Sequence, residues 1–254
     1  MSPASSAAQS PPAFSYCSLL DMGHIIHLET VDSTSDYLRE NKDKLDGFSF
    51  VYCDFQRAGH GRNGRSWVSE KGTSIAFSFL IKDQTILSYG PKITLPIAYV
   101  VSKAIEELGI EGTMIKWPND IYIHGKKAVG ILLEGSLPDY LIVGIGINAN
   151  QEEFHGQFHV PPTSLKKELG HPIEIESFQR KLFAALEDSL LHLETSFPES
   201  YAYFETHDFL FGKKVSLEGE KGYHCHGIDQ EFALLLEKDG QIKRNKAGEI
   251  TLDE

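Results

Sequence analysis

The most constraining stretch of this 254-residue chain is TMIKWPNDIYIHGKKAVGILLEGSLPDYLIVGIGINAN, Thr113 to Asn150, in which β-rich segments follow one another without a helix between them. TMIKW, DIYIH, KKAVGILLEG and YLIVGIGINAN read as strands. Pro118 cannot donate inside a central sheet, so the break at Trp117 to Asn119 is real. DIYIHGKKAVGIL reads as a hairpin turning through Gly125, although His-Gly is a weaker turn signal than Asn-Gly. Alternation places Lys126 and Lys127 on opposite faces, so at most one points into a site, and spacing does not say which.

Upstream, GHIIHLET predicts a strand and VDSTSDYLRENK a turn feeding a helix, with Ser33 and Asp36 in the form of a capping box. FSFVYCDF and SIAFSFLI flank a glycine-rich loop, giving strand, loop, strand. KITLPIAYVVSKAIEELG predicts a buried helix stopped by Gly109. One further long amphipathic helix is expected within IESFQRKLFAALEDSLLHLETSF. From Gly212 the texture changes to short alternating runs, KKVSLEG, YHCHGIDQ, FALLLEKDG and EITL, which predict a small all-β barrel. The Ser-, Pro- and Ala-rich lead MSPASSAAQSPPAF is neither a secretory signal nor able to support a core. The division expected is a disordered lead over 1–15, an α/β domain over 16–207 and a β-domain over 208–254.

A formal net charge of -12 argues against binding nucleic acid by phosphate neutralisation, so any basic cluster is local. Cys17, Cys53 and Cys225 are far apart, without paired zinc spacing, which suits a reducing cytoplasmic compartment. No apolar run approaches a membrane span. His224 and His226 share a strand face, but two ligands do not make a zinc site, and the segment is read as a strand.

The glycine loop is AGHGRNGRSW, in which Gly59, Gly61 and Gly64 have the spacing of a dinucleotide-binding turn. That motif needs a helix to start at the glycines, and RSWVSEKGTS carries no apolar helical stripe. Two readings remain: an ordinary surface turn, or a pliable anion-binding loop in which Arg62, Arg65 and backbone N–H groups converge on a ligand and close over it.

Taken together, QRAGHGRNGRSW, KWPNDIYIHGKKAVGILLEG, VGIGINAN and the later Thr163-Ser164-Leu165 resemble the signature set of the biotin protein ligases, from about Ser33 to the C-terminus and in the same order. The resemblance implies an α/β (α+β) catalytic domain of the biotinyl/lipoyl ligase type with a mixed sheet, followed by an SH3-like β-barrel. It implies a two-step reaction, in which biotin and MgATP give biotinyl-5'-AMP and a lysine of a biotin carboxyl carrier protein then takes the biotin. Bringing a carboxylate against a polyphosphate requires cations at the site.

Carried over by position, the resemblance implies that Ser33, Thr34, Ser35 and Gln56 bind or line the pocket of biotin, together with Gly59, His60 and Gly61. Arg62 would contact the biotin carboxylate and the phosphate, and Arg65 would be directed towards phosphate. Trp67 would pack near the adenine, and Asn119 would touch nucleotide or the Mg²⁺ shell. Lys127 would bridge carboxylate and α-phosphate, while Gly130, Gly144 and Gly146 would admit the bicyclic ligand close to the backbone. His60 and Asn63 stand where the family often has arginine, and Ser35 where asparagine is common. The first change loses a fixed cation, and the last shortens a hydrogen-bonding reach.

Rival readings are a lipoate or octanoate ligase of related fold, a non-catalytic biotin-binding module, and a biotin-sensing repressor. The last needs a helix-turn-helix domain, for which the residues preceding the first strand are too few. The expected partner is the carrier protein of acetyl-CoA carboxylase, with no nucleic acid and no membrane; homodimerisation through the sheet is a family tendency.

Overall fold

The computed structural model describes residues 25–68, 70–156, 158 and 160–253. The expected disordered lead and Cys17 lie outside them. Strand β1 (Ile25–Val31) leads into helix α1 (Thr34–Asn41), followed by β2 (Phe50–Gln56), the glycine loop and β3 (Ser74–Ile81). Helices α2 (Gln84–Ser88) and α3 (Thr94–Glu106) come next, then β4 (Thr113–Lys116), β5 (Asp120–Ile123), β6 (Lys126–Ser136) and β7 (Tyr140–Asn148). The order β1-β2-β3-β7-β6-β5-β4 makes one seven-stranded sheet, parallel only between β1 and β2.

Local chemistry explains several joints. Ser33 caps α1 by accepting from the Asp36 amide at 3.3 Å, but only half of the expected box forms, because the Asp36 carboxylate pairs with Arg39. At the β5–β6 turn, His124 and Gly125 have φ of 49° and 79°, the paired positive values of a type I′ hairpin. Gly109, at φ 89°, returns its amide to the Glu106 carbonyl at 2.8 Å and ends α3 as expected.

Beyond β7 lie α4 (Leu165–Leu169), α5 (Ile175–Leu191) and α6 (Leu193–His207). The single long helix read from the sequence is therefore two. Leaving the helical region at His192 (φ -119°, ψ 45°) lets α6 pack on α3 along its own stripe of Leu193, Ser196, Ser200 and Phe204. No glycine stands at that break, and Pro198 lies inside the second helix.

The C-terminal strands are β8 (Lys214–Leu217), β9 (Glu220–Ile228), β10 (Leu234–Lys238), β11 (Gln241–Asn245) and β12 (Ile250–Leu252). They form an antiparallel sheet in the order β11-β10-β9-β8-β12, consistent with an SH3-like domain. The expected closed barrel is corrected: β11 and β12 are free edges among the described residues. The sequence runs also missed β11, because its residues are almost wholly exposed and show no apolar alternation. His224 and His226 sit exposed on β9, with Cys225 buried between them.

The two faces of the large sheet differ sharply. From β3, β7 and β6, residues Phe77, Phe79, Val143, Ile145, Val129 and Ile131 enter the main core against α3 and α5. That core is continuous with the inner face of the C-terminal sheet. On the opposite face Leu38 of α1 covers Val51, Leu80 and Ile142. Further along that face the rungs become small: Ser78–Gly144–Leu132, then Ala76–Gly146–Gly130. A shallow trough remains beside α1.

Candidate active site

The trough is bounded at the α1 end by hydroxyls. Thr34 Oγ1 and Ser35 Oγ lie 2.7 and 2.9 Å from Ser78 Oγ, and Gln56 Oε1 accepts from the Thr34 amide at 2.9 Å. The shorter Ser35 thus still finds a protein partner on β3. A Cβ on Gly144 would come within 2.8 Å of Ser35 Oγ, so the glycine makes room for that contact.

The glycine loop folds over the trough as a small hairpin. Gly61 N–H donates to the Arg65 carbonyl at 2.7 Å, Trp67 N–H to Gly59 at 2.8 Å, and a 3-10 turn spans Arg62–Gly64. Asn63 has φ 57° inside that turn, a conformation asparagine tolerates better than arginine. The short 3-10 turn in place of an α-helix removes the dinucleotide reading.

Trp67 closes the floor. A Cβ on Gly146 would meet its ring at 2.4 Å and one on Gly130 at 3.1 Å, so the indole rests directly on backbone. Two of the three glycines expected to admit the bicyclic ligand, Gly130 and Gly146, are here covered by the tryptophan expected beside adenine, whereas Gly144 faces Ser35. Its Nε1 is buried without a hydrogen-bond partner, which costs on the order of 1–3 kcal/mol until an acceptor arrives.

Cations gather at the far end. Lys126 is exposed, whereas Lys127 turns inward, its Nζ 2.7 Å from Asp120 Oδ1 in an ionic contact lying off the axis for a hydrogen bond. The strand start carrying Lys127 is pinned by the Thr163 region: Lys127 N–H donates to Pro161 at 3.0 Å, and Thr163 N–H donates to the Lys127 carbonyl at 2.9 Å. Asn148 Nδ2 ties the same segment through the Thr163 carbonyl at 2.9 Å. The TSL motif is thus a brace for Lys127, with Ser164 capping α4.

Arg62 reaches Asn119 Oδ1 at 3.2 Å and the Gly248 carbonyl at 3.1 Å, while Asn119 Nδ2 donates to Ile131 at 2.7 Å. Arg65 points away from the trough and pairs with Glu249 of the C-terminal segment. Sequence reasoning missed Lys116, whose Nζ donates to the Ile250 carbonyl at 2.7 Å. Burial pulls its pKa below the usual lysine range; Asp120 and Glu249 oppose the shift, and Lys127 and Arg62 add to it. Period-two spacing before the Pro118 break puts Lys116 opposite the buried Ile115, the signal that could have found it.

His60, on the near arm of the loop, faces Asp36 and Glu134. A cavity of about 1010 Å³ between α3, α5 and α6 contains none of the residues singled out from the sequence. Among the described residues no group of three or more His, Cys, Asp or Glu could hold a metal ion.

The site thus combines a glycine-floored trough, hydroxyls at one end, cations gathered at the other and a loop lying above. The chain belongs to the biotin/lipoate A/B protein ligase family, whose pattern matches residues 28–148. It is 32% identical over 244 residues to the bifunctional ligase/repressor BirA of Bacillus subtilis, covering 90% of this chain and 74% of that protein. It is also 32% identical to the biotin--[acetyl-CoA-carboxylase] ligase of Paracoccus denitrificans, over 82% of this chain and 92% of that one. The biotin protein ligase of Aquifex aeolicus in complex with biotin and ATP superposes with a TM-score of 0.81, at 31% identity, over 91% and 99% of the two chains.

Proposed function

We infer that this protein is an ATP-dependent biotin–protein ligase, joining biotin to AMP and passing the biotin to a lysine of a carrier protein. The observation that carries this reading is the convergence of Arg62, Lys116 and Lys127 on one end of a glycine-floored trough whose other end offers Thr34, Ser35 and Gln56. Such a trough suits a flat ring with a carboxylate tail.

Residue roles follow from position. The hydroxyls of Ser33, Thr34 and Ser35 and the Gln56 amide hold the ureido ring, and Gly59, His60 and Gly61 supply backbone above it. Lys127 lies between the biotin carboxylate and the α-phosphate, and Arg62 and Lys116 neutralise charge that builds at phosphorus. The triphosphate would bring Mg²⁺ as MgATP, and Asn119 Oδ1 and the Asp120 carboxylate would be the oxygen donors able to hold it and screen the phosphate charge. When biotin enters, Trp67 lifts from Gly130 and Gly146 and becomes a wall for the adenine. Arg65 exchanges Glu249 for phosphate.

The acceptor is the carrier domain of acetyl-CoA carboxylase. Within the proposed division at 16–207 and 208–254, the described residues from Ile25 to His207 form the catalytic unit and those from Asp208 to Asp253 its C-terminal support. No described helix is long and apolar enough to cross a membrane, and the two described cysteines are free and buried, which fits the cytoplasm.

The test is pyrophosphate release on adding biotin and MgATP, followed by transfer of labelled biotin to a purified carrier domain. Release with biotin but not with lipoate is expected. Release with lipoate alone overturns the substrate, and binding without release reduces the protein to a biotin-binding module.

A further inference from the structure

The glycine loop is held at two ends, and the near end is held by a histidine set between carboxylates. His60 Nδ1 lies 3.8 Å from Asp36 Oδ2, and Nε2 lies 3.6 Å from Glu134 Oε2. Both ring nitrogens therefore face groups that only accept. A neutral imidazole offers one N–H and one lone pair, so one face of the ring would oppose a carboxylate; only the imidazolium suits both.

Charge counting gives the same answer by a separate route. The groups packed here are Asp36 and Arg39 from α1 and Glu134 from β6, with Tyr140 of β7 adjoining Arg39. Arg39 already bridges both carboxylates, pairing with Asp36 and, at 2.9 Å, with Glu134. Two carboxylates against one permanent cation leave a negative charge unanswered beside the His60 ring. The side chain is 30% exposed, so protons reach it.

The consequence passes to the site through the loop's backbone. His60 forms a bridge with Ser66, flanked by the Gly61–Arg65 and Gly59–Trp67 hydrogen bonds, so the arm it anchors carries Trp67 and adjoins Arg62. We propose that His60 is a positioning residue: its imidazolium, clamped between Asp36 and Glu134, holds the loop down and sets how long the acyl-adenylate stays on the enzyme. This rests on the ligase reading and adds to it a proton-dependent grip, where a permanent arginine would grip at every pH.

The experiment loads the full-length enzyme with labelled biotin and MgATP, removes free ligand and follows escape of labelled biotinyl adenylate between about pH 6 and pH 8, the range in which histidine changes charge. In the wild type, escape should quicken roughly three- to tenfold across that range, the scale of a partly exposed ion pair. His60→Arg should hold the intermediate equally long throughout, and His60→Ala should release it fast throughout. Glu134→Gln, a milder change, should shorten the lifetime and flatten the profile. A His60→Ala enzyme keeping the wild-type profile, or a His60→Arg enzyme keeping its slope, overturns the proposal. Absence of pyrophosphate release from the wild type instead overturns the ligase reading beneath it.

Discussion

The two faces of β3, β6 and β7 are made by the same strands and do opposite work. One presents Phe77, Phe79, Val143, Ile145 and Ile131 to the helices α3 and α5, and the other presents Ser78 and Gly144 to helix α1 and Gly146 and Gly130 to the glycine loop's Trp67. Period-two alternation thus lets one sheet carry a packed core behind and a site in front. Large side chains behind supply stability, and their absence in front supplies space. Each face is open to mutation with little cost to the other.

The largest separation should come from Lys127→Ala. Losing a cation at the reacting phosphorus is expected to slow pyrophosphate release about a thousandfold. Thermal melting should move little, since the ammonium is one-third exposed and touches only Asp120 among the described contacts. A large drop in melting temperature would break the comparison. Behind the sheet, Ile145→Ala should do the reverse, costing roughly 2–5 kcal/mol in urea unfolding while the folded fraction turns over normally.

Asp208 provides a reference outside both faces. It pairs with Ile115 at the sheet's edge, and burial pushes its carboxyl pKa up to about 6 from 3.8. The folded state then binds the proton more tightly than the unfolded chain, so this stabilisation is full below about pH 4 and is lost as pH rises through 6. Asp208→Asn keeps an acceptor for the Leu210 amide and should flatten that fall, by about 2 kcal/mol in denaturation across the range. An unchanged slope would assign the pH dependence elsewhere.

Gly146→Ala tests the floor. The new methyl would stand where the Trp67 ring now rests and where the ligand is expected to lie, so calorimetry should show biotin affinity reduced roughly tenfold. The smallest effect is expected at Glu249→Gln. Freeing Arg65 from its exposed pair should change the KM for ATP only about two- to fivefold, measured by initial rates, with kcat unaltered.

Elements governed by local rules were legible in the chain. The Ser33 cap, the left-handed His124-Gly125 turn and the Gly109 stop depend on a few adjacent residues, and each was read correctly. The expectation that at most one of Lys126 and Lys127 faces inward also followed from alternation. Lys116 and Glu249 were not found, because their significance lies in the C-terminal segment folding back: Ile250 receives Lys116, and Glu249 receives Arg65. The break at His192 carries no turn residue that marks it, and the strand Gln241–Asn245 escaped because its exposed residues show no apolar pattern, although Asp239-Gly240 before it is a hairpin turn signal.

By itself the sequence determined most of the succession of strands and helices, which strand residues share a face, and the family whose motifs this chain carries. Those properties are set by backbone sterics, hydrophobic period and residue identity, all local. Tertiary structure alone decided which lysine enters the trough, that Trp67 lies on Gly146, that His60 stands between two carboxylates and that the last sheet stays open. Each of these depends on groups distant in the chain meeting in space, and no spacing rule encodes that meeting.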